Sequence, residues 1–212
     1  MTTPSSTASA IAPDTVLHVL REHPGADKRD DALAPVAPLE VPLPGGAVAS
    51  MTPAWFDLIG DLQLRLVRST ADGLLTLHAS ELDALAPSVD EALALALANL
   101  HRQHGQPGAR PWHNLQRVGG RSEDADSAYF MDRAFWRARL AEQPQGLVAA
   151  VPRTDLLLFA PLADAAAVDR MRRGIPGLHA GGGDWALSSA LYLFKDDRWR
   201  VFQPAVPAPS PA

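Results

Sequence analysis

The clearest periodicity in the chain is a two-residue alternation from Asp61 to Arg68. Leu62, Leu64 and Leu66 fall on one side, and Gln63 and Arg65 on the other. That pattern predicts a half-buried strand. Thr70-Ala71-Asp72-Gly73 follows, and Asp-Gly is a hairpin signal, so Leu74 to His78 is expected to return as the partner strand. Ser80 to Asp83 then opens a short helix that must stop before Pro87. From Ser88 the period becomes helical. Val89, Leu93, Leu97 and Leu100 predict one shared buried face. Ser88 with Glu91 makes a capping box, His101, Arg102 and His104 place positive charge in the last turn, and Gly105 ends the helix.

Further along, residues 105–112 read as a Gly/Pro loop, Asn114 to Val118 as a strand, and Ser127 to Met131 as a second short strand. Asp132 caps a helix reaching Leu140, with Phe135, Trp136 and Leu140 apolar. Gly146–Val151 and Leu156–Phe159 are continuous apolar runs joined by Pro152-Arg153-Thr154-Asp155. Runs apolar on both faces predict strands inside a sheet. Asp164 or a neighbour begins another helix, with Val168, Met171 and Ile175 inward and Gly174 near its end. Leu187–Phe194 and Arg198–Phe202 predict a last hairpin around Asp196-Asp197. Hairpins interspersed with three to four packed helices, and no internal repeat, predict a single α+β domain with a mainly antiparallel sheet.

The ends read differently. Residues 1–53 are Pro-rich, with Ser, Thr and Ala abundant at the start. They are expected to be disordered apart from a short helix at 14–22 capped by Asp14. Pro35, Pro38, Pro42, Pro44 and Pro53 suggest an extended linker, and 204–212 a Pro-rich disordered tail, leaving 54–203 as the α+β domain. No basic n-region with an apolar h-region opens the chain, and no stretch is long and apolar enough to span a bilayer. A cytoplasmic location without membrane contact is therefore expected.

Composition narrows the chemistry. The 212 residues carry a net charge of -5 and no cysteine, which removes thiol nucleophiles, disulfides, iron–sulfur ligation and Cys-type zinc sites. The acidic balance argues against nucleic acid as a partner. Among the basic side chains only Lys28 and Lys195 are lysines, a skew ascribed to genome composition rather than to a site.

Candidate sites are few. His101 and His104 lie at helical i,i+3 spacing and could bind zinc with His113 as third ligand; the competing reading is two solvated histidines favoured by the helix dipole. Asp126, Asp132, Arg153 and Asp155 sit at strand ends and turns, where an Asp pair with Arg could hold a cation or phosphate. The competing and favoured reading assigns Asp132 to capping, and Arg153 and Asp155 to turn chemistry or an ion pair. Gly181-Gly182-Gly183 follows a helix and lacks the phosphate-loop pattern, and Ser188-Ser189 has no nucleophile-elbow context. The five tryptophans are spread along the chain and read as packing. No cofactor motif is present, so none is expected.

Four collinear segments resemble the YtpQ-like family of uncharacterised bacterial proteins, a domain of unknown function. They are Leu62 to Leu100, Asp126 to Trp136 (DSAYFMDRAFW), Leu147 to Ala160 (LVAAVPRTDLLLFA) and Ala186 to Phe202 (ALSSALYLFKDDRWRVF), together covering residues 61–203. The chain departs from the family at Ala128, where a serine is usual, and at Arg153-Thr154, where His-Gln is common. The resemblance implies a fold and no established activity. Three functions follow as expectations. The leading one is a non-catalytic protein-interaction or accessory domain whose partner is another protein. The alternatives are an enzyme or small-ligand or cation binder using Asp126, Arg153 and Asp155, and an immunity or accessory protein of a bacterial conflict or secretion system.

Overall fold

The structure is a computed structural model that describes residues 11–206. In chain order the first elements are β1 (Val16–Glu22), β2 (Ala34–Pro35), β3 (Leu39–Pro42), β4 (Val48–Met51), β5 (Trp55–Ile59), β6 (Leu62–Thr70) and β7 (Gly73–Thr76). Then come α1 (Ala79–Leu85), α2 (Val89–His104), β8 (Gly108–Trp112), β9 (Leu115–Gly119) and α3 (Arg133–Glu142). The chain closes with β10 (Leu147–Arg153), β11 (Leu156–Pro161), α4 (Ala165–Ala180), β12 (Leu191–Lys195) and β13 (Arg198–Gln203). Among the described residues all named strand pairs are antiparallel, and the fold is a single α+β domain. No helix among them is long and apolar enough to cross a membrane.

The strands form two sheets and a ribbon. The first sheet runs β1-β6-β5-β2, with β7 also on β6; the second runs β13-β12-β10-β11-β9-β8; β3 and β4 pair apart. The alternation in β6 is realised, since Leu62, Leu64 and Leu66 are all buried against the core. The helix expected at 14–22 is not formed. Pro13–Thr15 makes one 3-10 turn, and β1 then pairs along its length with β6, from Val16 opposite Arg68 to Glu22 opposite Leu62. Val16, Leu17 and Leu20 are buried from both faces of the strand, a burial that a lone surface helix could not provide. The N-terminal segment is therefore part of the domain: β1, β2 and β5 are strands of its first sheet, and the boundary expected at residue 54 is not present. Residues 1–10 and 207–212, where disorder was also expected, lie outside the described residues.

Strands β10 and β11 occupy the middle of the second sheet, as their two-faced apolar runs require. Leu147, Ala149 and Val151 face the main core, whereas Val148 and Ala150 face α4 and its Val168, Met171 and Ile175. Between the two sheets lies a 3-10 segment, Glu123–Met131, where a strand was expected at 127–131. Asp126 to Phe130 are buried without a break, a burial that a half-exposed strand cannot deliver. Phe130 stacks on Trp199 with centroids 4.2 Å apart, and the Trp136 indole donates to the carbonyls of Tyr129 and Phe130, each at 3.1 Å. The loop expected at 105–112 contains β8, paired with β9.

Two local signals appear as expected. Ser88 Oγ accepts from Glu91 N at 3.2 Å, and Asp132 Oδ1 from Phe135 N at 3.0 Å. The last hairpin turns through Asp196 and Asp197, both at positive φ (54° and 59°), the conformation of a tight primed turn. Arg137 clamps Asp197 with two bonds of 2.7 Å.

Candidate functional site

Asp126, Arg153 and Asp155 do come near one another, but through a residue the sequence did not single out. Arg117, on β9, donates to Asp126 Oδ2 from Nε (3.1 Å) and Nη2 (2.9 Å), and Nη2 also reaches the Asp155 carbonyl at 2.8 Å. The Asp155 carboxylate belongs to Arg153, whose Nε donates to it at 2.8 Å. That neighbour holds Asp155 below the usual carboxylate range. Asp126 behaves oppositely. It is fully buried, and burial outweighs Arg117, so its carboxyl is pushed up to about 6. The signal for this site was the Gly119-Gly120 pair. A Cβ on Gly119 would lie 2.5 Å from Asp126 Oδ1, and one on Gly120 would lie 2.2 Å from the Tyr129 hydroxyl and the His104 carbonyl. Both glycines exist so that β9 can close on the 3-10 segment. The Asp126 set is a sealed tie between β9, that segment and the β10–β11 turn.

The three histidines do not converge. His101 Nε2 bonds Asp132 Oδ2 at 2.8 Å, His104 Nδ1 bonds Ser122 Oγ at 2.7 Å, and His113 sits at positive φ in the β8–β9 turn. Among the described residues no group of three His, Asp or Glu side chains is arranged to hold a metal ion. Asp132 both caps α3 and orients His101, whose ring stacks on Tyr129. Ser122 and His104 form a pair without a third group to orient the imidazole as a base. Gly181 ends α4, and the turn after it carries Asp184 and Trp185.

Ser188 lies in a buried node that links the sheets. Its hydroxyl donates to Asp61 Oδ1 at 2.6 Å, the Tyr192 hydroxyl donates to the same oxygen at 2.7 Å, and Ala190 N donates to Ser188 Oγ at 3.0 Å. Burial and the Asp61 charge raise Tyr192 well above the usual phenol range. Ser188 is thus committed to a carboxylate rather than to a histidine.

Two of the concavities bear on these residues. The first is a cleft of about 670 Å³ between β1, the end of α2, the 3-10 segment and the Gly183–Trp185 turn. Ser127 and Thr154 line it, next to Asp126 and Arg153 in sequence, but those two do not. His18, 1% exposed, is its most unusual wall. Nε2 lies 2.9 Å from the Ala128 carbonyl and so carries the proton, leaving Nδ1 an acceptor with no hydrogen-bond partner among the described residues. Burial lowers His18 below the usual imidazole range, so the ring is neutral at pH 7. Thr154 Oγ1 is likewise buried without a partner.

The second is a groove of about 820 Å³ between β2, β5, α1, α2 and the start of α3. Here the expected face of α2 is redistributed. The residues that close on the core are Ala92, Ala96, Asn99 and Leu100, whereas Val89, Leu93 and Leu97 are only partly buried and line the groove. Asn99 is held inward because its amide donates to the carbonyls of Pro13 (2.8 Å) and Val16 (2.9 Å), which rotates α2 towards β1. Phe56, Leu82 and Met131 complete the apolar lining, and the rim carries Asp83 and Asp90, neither in an ion pair among the described residues. The chain matches no protein-family model, no curated protein and no solved structure.

Proposed function

We propose that the chain is a protein-interaction domain that seats a short, basic and apolar segment of a partner protein in the α1–α2 groove. One observation carries this reading. The stripe Val89, Leu93, Leu97 has the spacing of a core face yet lines an open groove. An apolar helix face left half-covered beside other apolar side chains is the geometry of helix-in-groove recognition. The exposed carboxylates of Asp83 and Asp90 on the rim, in a chain of net charge -5, select a partner carrying Lys or Arg beside its apolar anchors. The YtpQ-like resemblance belongs to the same reading, because the stretch Leu62 to Leu100 that carries it includes α1 and α2.

Selection from a displayed peptide library against the full chain tests this. The expected winners carry two or three large apolar residues at helical spacing flanked by Lys or Arg. They lose binding to Leu93→Asp and weaken against the Asp83→Lys/Asp90→Lys double variant, which leaves the apolar lining intact. Enrichment of acidic peptides, or winners that bind both variants as well as the parent chain, overturns it.

A further inference from the structure

The outward face of the first sheet carries an arrangement that the groove does not use. Cross-strand register sets two rows there: Asp57, Gln63 and Arg21 in one, Trp55, Arg65 and Val19 in the next. Arg21 and Arg65 are therefore diagonal neighbours, about 7–8 Å apart at the backbone. Arg65 is pre-set. Its guanidinium carbon lies 3.8 Å from the centroid of the Trp55 ring, and its Nε donates to Gln63 Oε1 at 2.7 Å, which leaves the two terminal nitrogens free. Gln63 is oriented in turn by Asp57, 3.4 Å from its amide nitrogen, and Asp57 is itself taken by His23 at 2.6 Å. Arg21 spends one Nη1 bond of 2.8 Å on the Leu20 carbonyl.

Neither guanidinium has a carboxylate partner among the described residues, and the remaining residues of the chain contain no Asp or Glu. Arg117, Arg133, Arg137 and Arg153, elsewhere in the fold, each hold at least one. Burial weakens the charged form of both residues, and Arg21 weakens that of Arg65 further. Two half-buried like charges on neighbouring strands, neither with a carboxylate partner among the described residues, are mutually unfavourable, and an anion shared between them removes the conflict.

We propose that Arg21 and Arg65 form a binding site for the phosphate group of a small phosphate monoester. A monocarboxylate has two oxygens and saturates one guanidinium fork, whereas a tetrahedral dianion presents enough oxygens for two forks approaching from different strands. Arg21 also lines the 670 Å³ cleft with Leu17 and Val19, its neighbours on the same strand face, and with Leu74 and Trp185. The ester's body has that cleft to enter. The exposed carboxylates of Asp124 and Asp184 belong to the wall formed by the 3-10 segments and favour a body without negative charge of its own.

Calorimetric titration of the full chain with phenyl phosphate, inorganic phosphate and benzoate tests the site. Phenyl phosphate is expected to bind most tightly and benzoate least. Arg21→Met and Arg65→Met should each weaken phenyl phosphate by at least about tenfold, the loss of one charge-assisted contact. Arg65→Lys, which keeps the charge without the fork, should also weaken it, and Arg170→Met on the α4 surface should not. The melting temperature of each variant shows that it is folded. Absence of saturable phenyl phosphate binding, benzoate binding as tightly, or unchanged affinity in the folded Arg21 and Arg65 variants overturns the proposal.

Discussion

Asp126 makes the fold's stability pH-dependent in an unusual direction. Most native carboxylates are stabilised in their charged form, and the fold weakens as they protonate in acid. Asp126 is sealed between β9 and the 3-10 segment, and its second oxygen, Oδ1, has no side-chain partner. Its carboxyl ionises about 6 in the folded chain, against an ordinary value of 3.8. The folded state therefore binds this proton more tightly than the unfolded chain does. The stabilisation is complete only well below about pH 4 and is lost as pH rises from about 4 to about 6, a total change of about 3 kcal/mol. The remaining groups add their own pH dependence, so the informative quantity is the difference between the parent chain and Asp126→Asn. Urea unfolding followed by tryptophan fluorescence between pH 4 and pH 8 measures it. The advantage of the parent over the Asn variant should shrink by about 2.5 kcal/mol across that range, nearly all of it between pH 4 and pH 6 and centred near about pH 5. A difference that grows with pH would show that Arg117 dominates and the carboxylate is buried charged, and a flat one would show that burial and Arg117 cancel; either outcome overturns the prediction.

Two further outcomes follow from the structure. Tyr192→Phe removes one of the two hydroxyl donors to Asp61 Oδ1 in a node where Oδ2 already lacks a partner, and should cost about 1.5–3 kcal/mol in urea unfolding; a loss below about 0.5 kcal/mol would show that the node is not fully buried. Asp196→Gly relieves a non-glycine residue at φ 54° in the β12–β13 turn and should raise stability by about 0.5–1 kcal/mol, read as a higher melting temperature, whereas a lower one would assign Asp196 a stabilising contact with Arg200.

Much of the scaffold was legible because burial on one side of an element writes a local period. The Leu62/Leu64/Leu66 alternation, the two-faced runs of β10 and β11, and the Val168/Met171/Ile175 face of α4 each report their surroundings within a few residues. Caps at Ser88, Asp132 and Asp164 were readable for the same reason, since a cap bonds a backbone group three residues on. The 14–22 segment was misread because Val16 to Leu20 satisfies a short helical stripe as well as a strand, and only pairing with β6, far along the chain, decides between them.

The candidate sites were less legible for a related reason. Asp126, Arg153 and Asp155 were visible as residues, but Arg117, which joins them, lies on an otherwise ordinary strand. Asp61 meets Ser188 and Tyr192, and Arg21 meets Arg65, only through sheet register and the stacking of one sheet on another. Likewise the Val89/Leu93/Leu97 stripe read as core, until the bonds from Asn99 to Pro13 and Val16 rotated α2 and left it lining a groove. The α+β class, the hairpins, most helices and the lack of cysteine chemistry follow from local periodicity and residue type, and so are written in the chain. Which charged groups are sealed, which are paired and which lack a partner among the described residues follows from the folded arrangement alone, because burial and Coulomb energy depend on distances between residues that the chain order does not encode.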